Sequence, residues 1–233
     1  MNKVLHHLHR AIECNPEFSD AHVILAREYK KKDDFLHYVK YLGKAIRIDK
    51  KLIGNSTKQQ KYYANQNLFG LVRKMFFIEI EQKRHLSNLL IEMGTHHFDK
   101  KEFKRANRLF SEAGSVDPLN AHVDFHLGLL YLKNRKHTKS YECFTQCIEK
   151  EIHHTGANIE LGKYYQKKKD YNLAEVHFFC ALETNPNDAS IHILICKLYL
   201  KMKKIESANH HYRTAVSLDD SSKDQILTAK FNN

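Results

Sequence analysis

Apolar residues in this chain recur at i, i+3, i+4 and i+7, the spacing of one face of a helix, and the faces come in pairs. Leu25, Ala26 and Tyr29 lie on one face; after the polar turn KKKDD, Tyr38, Leu42 and Ala45 lie on the next. The pair returns as Met93, Gly94 and Ala106, Phe110, Ala113, then as Leu127, Gly128, Tyr131 and Phe144, Cys147. It returns again as Leu161, Gly162, Tyr165 and Ala174, Phe178, Ala181, and as Ile195, Cys196, Tyr199 and Ala208, Tyr212, Ala215. The step is 34 residues. It aligns Phe76, Phe110, Phe144, Phe178 and Tyr212 with Leu42 and Leu8, and Tyr29, Tyr63, His97, Tyr131, Tyr165 and Tyr199 in a second ladder. Small residues form a third (Ala11, Ala45, Ala113, Cys147, Ala181, Ala215), and all three prolines, Pro16, Pro118 and Pro186, share one phase.

A pair of short amphipathic helices cannot bury its apolar faces alone, so a 34-residue period predicts stacked pairs with one continuous core. Glycine at 162 allows the two helices of a pair to approach closely, and Pro186 stops one unit before the next. The reading is all-α, with an N-terminal half repeat at 1–18, six in-phase units over 19–222 and a C-terminal cap or tail at 223–233. Val4, Leu5, Leu8, Ala11 and Ile12 give the half repeat an apolar face without its covering helix, which predicts self-association, contact with an upstream segment, or leaning on the 19–52 unit. Residues 53–86 keep the period and lose the pattern: Gln59 and Gln60 replace Leu-Gly, and Glu79 replaces a small residue. They read as a degenerate unit or as a hinge. Ser222 and Gln225, followed by Ile226, Leu227 and Phe231, predict a short capping helix.

The segment 155–188 carries Leu161-Gly162, Tyr165, Ala174, Phe178, Ala181 and Pro186, with Asn158 where a tryptophan is usual. In these residues the chain resembles the tetratricopeptide-repeat family, over about residues 1–222. The resemblance implies a right-handed α-solenoid of about six repeats whose first helices line a concave groove. It also implies a non-enzymatic scaffold or adaptor that holds a partner peptide or helix there, within a larger assembly. Carried onto this chain, the family's ligand-facing positions give a cationic row of Arg27, Lys61, Lys133, Lys163, Lys167, Lys197 and Lys201. Beside it runs an apolar strip of Ile91, Phe125, His126, Leu129, Ile159, Ile193 and Leu194. A partner with acidic and apolar residues suits such a groove. No unit carries the Lys–Asn pair of the carboxylate clamp that grips chaperone C-termini.

Charge adds a rival. The net charge is +11 and the pI about 9.3, which raises nucleic acid as a partner. Only nine of the 38 cations are arginine, the residue suited to bidentate phosphate and base contacts, and that weighs against it. There is no glycine-rich phosphate loop, nucleophile elbow or H-E-x-x-H, so the chain reads as non-enzymatic and without a cofactor. His122 and His126, and Cys143 and Cys147, have the i, i+4 spacing of metal ligands, but each pair sits on a different helix of its unit, and packing explains them better. No run of 18 apolar residues suggests a membrane span. Five cysteines on helices suggest thiols in a reducing cytoplasm, or a periplasmic chain that has lost its signal.

Overall fold

In the computed structural model, residues 3–65 and 69–219 are described, with the backbone alone given for residues 3, 61–65 and 69–76. The described residues are all-α, with eleven helices. They fall into two compact units, 1–126 and 127–233. The first holds α1 (Lys3–Cys14), α2 (Ser19–Lys30), α3 (Phe35–Asn65), α4 (Phe69–Asp99), α5 (Phe103–Val116) and the start of α6 (Ala121–Lys133). The second holds the remainder of α6 with α7 (His137–Lys150), α8 (Thr155–Lys168), α9 (Tyr171–Thr184), α10 (Ala189–Lys201) and α11 (Ile205–Leu218). Consecutive helices pack on one another, α1 to α5 in the first unit and α7 to α11 in the second. The proposed cap at 223–233 lies outside the described residues.

The ladders are the core. Leu42, Phe110, Phe144 and Phe178 are buried, as are Ala45, Ala113, Cys147, Ala181 and Ala215. Gly94, Gly128 and Gly162 each lie against the phenylalanine of their own pair: a methyl on Gly162 would stand 2.5 Å from Cε1 and 2.6 Å from Cδ1 of Phe178. Gly128 would meet Phe144, and Gly94 would meet Phe110, at 2.5 and 2.7 Å. No side chain fits there, which is why glycine holds this position.

The period also appears in the backbone. The turn joining the two helices of a pair contains a left-handed residue at Asp33 (φ 56°), Lys101 (61°), Arg135 (58°), Lys169 (64°) and Lys203 (61°), spaced by whole steps of 34. None is glycine, although the left-handed region is unfavourable for residues with a Cβ. Helix starts are fixed locally: the Asp170 carboxylate accepts from Leu173 N (3.2 Å) and Asp188 from Ser190 N (2.9 Å).

Asn158, in the place of tryptophan, is 1% exposed, and its amide nitrogen donates to Ile152 O at 2.9 Å and to His154 O at 3.3 Å. Its carbonyl receives His177 Nδ1–H at 2.9 Å. Whole steps away, His192 Nε2 reaches Pro186 O (3.1 Å) and His22 Nε2 reaches Pro16 O (3.0 Å). Each ties its helix to the carbonyl six residues upstream, so the preceding turn is fastened to the helix it leads into.

Two stretches differ from the expected rhythm. Leu5 of α1 is buried and Leu8, Ala11 and Ile12 are half-buried, so much of that face leans on its own unit; Val4 stays exposed. Between 53 and 86 no short pair forms. Instead α3 runs unbroken to Asn65, and α4 runs from Phe69 through the expected boundary near residue 86 to Asp99. Lysine at position 50 and the sequence KRHL at 83–86 contain no helix stop, whereas Pro118 and Pro186 stand just beyond the ends of α5 and α9. The two 31-residue helices, each about 46 Å long, form an antiparallel hairpin. Tyr38 OH donates to Glu92 O (3.4 Å) near one end, and Gln60 Nε2 to Glu79 (2.7 Å) towards the other.

Candidate peptide-docking site

In the second unit α7 turns its Tyr141 and Phe144 towards Tyr164 of α8, and a cavity of about 500 Å³ opens between these helices and the end of α6. The Tyr141 and Tyr164 rings stack at 4.6 Å between centroids. Tyr165, next on α8, hydrogen-bonds the Tyr141 hydroxyl at 2.9 Å and stacks on His177 at 5.4 Å. That hydrogen bond, helped by burial, pushes the Tyr165 phenol up to about 12. One step of 34 later, Tyr199 OH donates to Glu175 at 2.6 Å, and burial with this contact also pushes its phenol up to about 12. Tyr165 and Tyr199 are thus neutral at physiological pH, and the Tyr141 and Tyr164 rings serve as rigid walls of the cavity.

Cations edge the cavity. Lys163, Lys167 and Lys168 line it together with Glu160. Lys163 Nζ pairs with Glu160 at 2.7 Å, and Lys168 Nζ lies over the Tyr164 ring at 5.7 Å. Lys167 is exposed and forms no ion pair among the described residues. An aromatic recess with an ammonium rim can take an apolar side chain followed by a carboxylate.

Lys163 and Lys167 are therefore together, while the other expected groove residues have varied fates. Leu129 is half-buried and Lys133 exposed. Ile159, Ile193 and Leu194 are partly buried against the cluster around Phe178, Ile191, Ile195 and Tyr212. Lys197 is exposed; Lys201 is exposed too, beside a shallow depression with Lys168 and Lys203. In the first unit Arg27 reaches Glu92 at 2.9 Å, so its charge is met within the chain, and this hydrogen bond raises its pKa further. Ile91 is 8% exposed and belongs to the interior. Phe125 and His126 are half-buried, with His126 stacked on Phe110 at 5.2 Å. Lys61 lies on α3, with its side chain outside the described residues. Sequence reasoning missed Tyr141, Glu160, Tyr164 and Lys168. The signal was the Tyr164–Tyr165 doublet, of which only Tyr165 belongs to a ladder.

Comparison with known proteins agrees with the helix pairs. Residues 125–149 match the family model described as tetratricopeptide repeat. The anaphase-promoting complex subunit CDC16 of Saccharomyces cerevisiae is 29% identical over 108 residues, which are 43% of this chain and 13% of that protein. The chain thus spans a small part of the curated relative it matches. Among solved structures, the anaphase-promoting complex hetero-tetramer Cut9–Hcn1 matches with a TM-score of 0.56 at 16% identity, over 99% of this chain and 46% of that one. YrrB, described as a TPR protein with an unusual peptide-binding site, matches with a TM-score of 0.52 at 16% identity, over 97% of both chains. At such identities the structural likeness speaks for fold alone. Together with the 34-residue ladders and the glycine–phenylalanine contact of three of the pairs, it gives this chain the fold of tetratricopeptide-repeat proteins, with that family's sequence pattern matched over residues 125–149.

Proposed function

We propose that the chain is a non-enzymatic interaction scaffold that seats a segment of a partner protein, acidic and apolar in character, at the α7–α8 cavity. The supporting observation is the juxtaposition of the stacked Tyr141 and Tyr164 rings with Lys163, Lys167 and Lys168. An apolar side chain fills the aromatic recess, and neighbouring carboxylates meet the lysines. Exposed ion pairs contribute little each, roughly 0–1 kcal/mol, so the aromatic recess supplies most of the affinity and the lysines most of the selectivity. The reading joins this chain to relatives that belong to multi-protein assemblies, such as the anaphase-promoting complex.

An array of short peptides alternating acidic and apolar residues tests the proposal. Binding should fall about tenfold or more in Tyr164→Ala, through the lost aromatic anchor, and several-fold in Lys163→Glu/Lys167→Glu. Undiminished binding in both variants would overturn the site. The +11 charge motivates the rival, association with nucleic acid. It requires retention at low salt that weakens steeply as salt rises. A gel shift showing such retention, with no peptide bound, would replace the scaffold reading.

A further inference from the structure

The first unit has a cleft of opposite character, about 650 Å³, where the start of α2 faces α3 and α4. Phe18, Leu52, Phe77 and Ile78 form an apolar lip and are 45%, 37%, 57% and 45% exposed, high values for side chains of this size. Four carboxylates line the cleft (Glu17, Asp20, Asp49 and Glu81), and among the described residues no lysine or arginine lines it, although the chain as a whole carries +11. Two of the four are already matched from outside, Glu17 by Lys51 and Glu81 by Arg84. Asp20 and Asp49 share the His85 ring, at 3.8 and 3.4 Å, and the Ser19 hydroxyl stands beside Asp49.

The floor of the cleft holds several polar groups without a hydrogen bond, the Ser19 hydroxyl and His85 Nε2 among them. Asp49 is 4% exposed, and its Oδ2 accepts no hydrogen bond; Gln82 Oε1, also buried and lining the cleft, accepts none either. Buried acceptors in folded proteins are nearly always satisfied, because an orphan keeps the full cost of leaving water. Burial accordingly pushes the Asp49 carboxyl above the usual carboxylate range. Two acceptors without a hydrogen bond, set among four carboxylates behind an apolar lip, fit a group with several N–H donors on an apolar stem. Arginine fits best: its planar guanidinium holds five donors, stays charged and is weakly hydrated.

We infer that this cleft docks a partner segment in which an arginine, flanked by apolar side chains, inserts towards Asp49 and Gln82. The flanking side chains cover Phe18, Leu52, Phe77 and Ile78. This surface is separate from the α7–α8 cavity and selects the opposite charge, so one chain can hold two chemically distinct segments.

The test is an array of short peptides, each with one arginine between varied apolar residues, probed with the full chain and paired with copies carrying citrulline, the neutral isostere. At least one arginine peptide should bind roughly tenfold more tightly than its citrulline copy, the effect expected of a charged hydrogen bond. Asp49→Asn should erase that preference. If circular dichroism shows this variant unfolded, Asp20→Asn, at an exposed position, decides, and should narrow the preference several-fold. Lys163→Glu/Lys167→Glu should leave it unchanged, which separates this surface from the other. Equal binding of arginine and citrulline peptides, an undiminished preference in the folded aspartate variants, or no binding by any peptide would overturn the inference and leave solvent as the cleft's occupant.

Discussion

Replacing Gly162 by alanine adds one methyl group in the middle of a helix, where alanine is normally the better residue by about 0.5–1 kcal/mol. Here the methyl would sit 2.5 Å from Phe178 Cε1, 2.6 Å from Cδ1 and 3.0 Å from Cζ, against a comfortable carbon–carbon distance of about 3.5–4.0 Å. The ring must therefore retreat by about 1 Å, yet Phe178 is fully buried among Ala174, Ala181, Ile195 and Tyr199. Interiors packed at crystal density do not yield such space freely, and overpacking costs about 1–3 kcal/mol. The net expectation is a loss of about 1 kcal/mol or more. Gly54 supplies the control: it is exposed within α3 and nothing lies within 4 Å of a methyl added there, so Gly54→Ala should gain about 0.5–1 kcal/mol. The same substitution thus has opposite signs at two helix interiors. Urea unfolding followed by circular dichroism measures both, each scored in its own transition if the units unfold separately. Phe178→Leu in the Gly162→Ala background should recover part of the loss relative to its own single variant, a coupling readable from the double-mutant cycle. A Gly162→Ala protein stabilised as much as Gly54→Ala would refute the contact.

Two further expectations use the same assay. Asn158→Leu strips Ile152 O of its donor and His177 Nδ1 of its acceptor at part-buried sites, and should cost about 1–3 kcal/mol; an unchanged urea midpoint would mean that water replaces the amide without loss. His192 and His211 meet Nδ1 to Nδ1 at 3.0 Å, and burial, with the charges of His192 and His210, pushes His211 down to about 4. The native state holds this ring neutral, so its contribution is complete above the unfolded value near 6.5 and is lost as pH falls towards 4. The loss at pH 5 is about 2 kcal/mol, and His211→Gln should flatten that part of the profile; an equally steep variant would assign the pH dependence to other groups.

How much of this was legible beforehand depends on which residues carry the information. The helix pairs were written in side chains that must be large or small, such as Phe178 and Gly162, and size recurs visibly in a sequence. The long hairpin was hidden because it depends on what is missing. At residues 50 and 83–86 no proline or glycine ends a helix, and a period counted from neighbouring units imposed breaks there. Position 158 was noted only as a lost tryptophan. That His22, Asn158 and His192 all reach a carbonyl six residues upstream is invisible to a search for similar side chains, because imidazole and amide share only a donor nitrogen. The groove was the least legible part. The resemblance's ligand-facing positions named Lys163 and Lys167, which line the α7–α8 cavity, but they could not foresee that Arg27 would be met by Glu92, remote in sequence, or that Ile91 would be enclosed.

The left-handed turn residues make the second unit a chain of interchangeable parts at the level of the gene. Arg135 and Lys169 occupy equivalent turns with nearly equal φ, 58° and 64°. Removing the coding sequence for 136–169 would join the turn after α6 directly to α9 in register. Gly128 would then face Phe178 in place of Phe144, and the two glycine–phenylalanine contacts agree to within 0.1 Å. Recombination between such rungs can shorten or lengthen the protein by whole steps while the glycine–phenylalanine contact is rebuilt at the new junction. The stretch 53–86 is exempt, since its helices run through the boundaries at which such an exchange would have to cut. Length variation in this lineage should therefore accumulate beyond the hairpin, and the hairpin itself should be inherited whole.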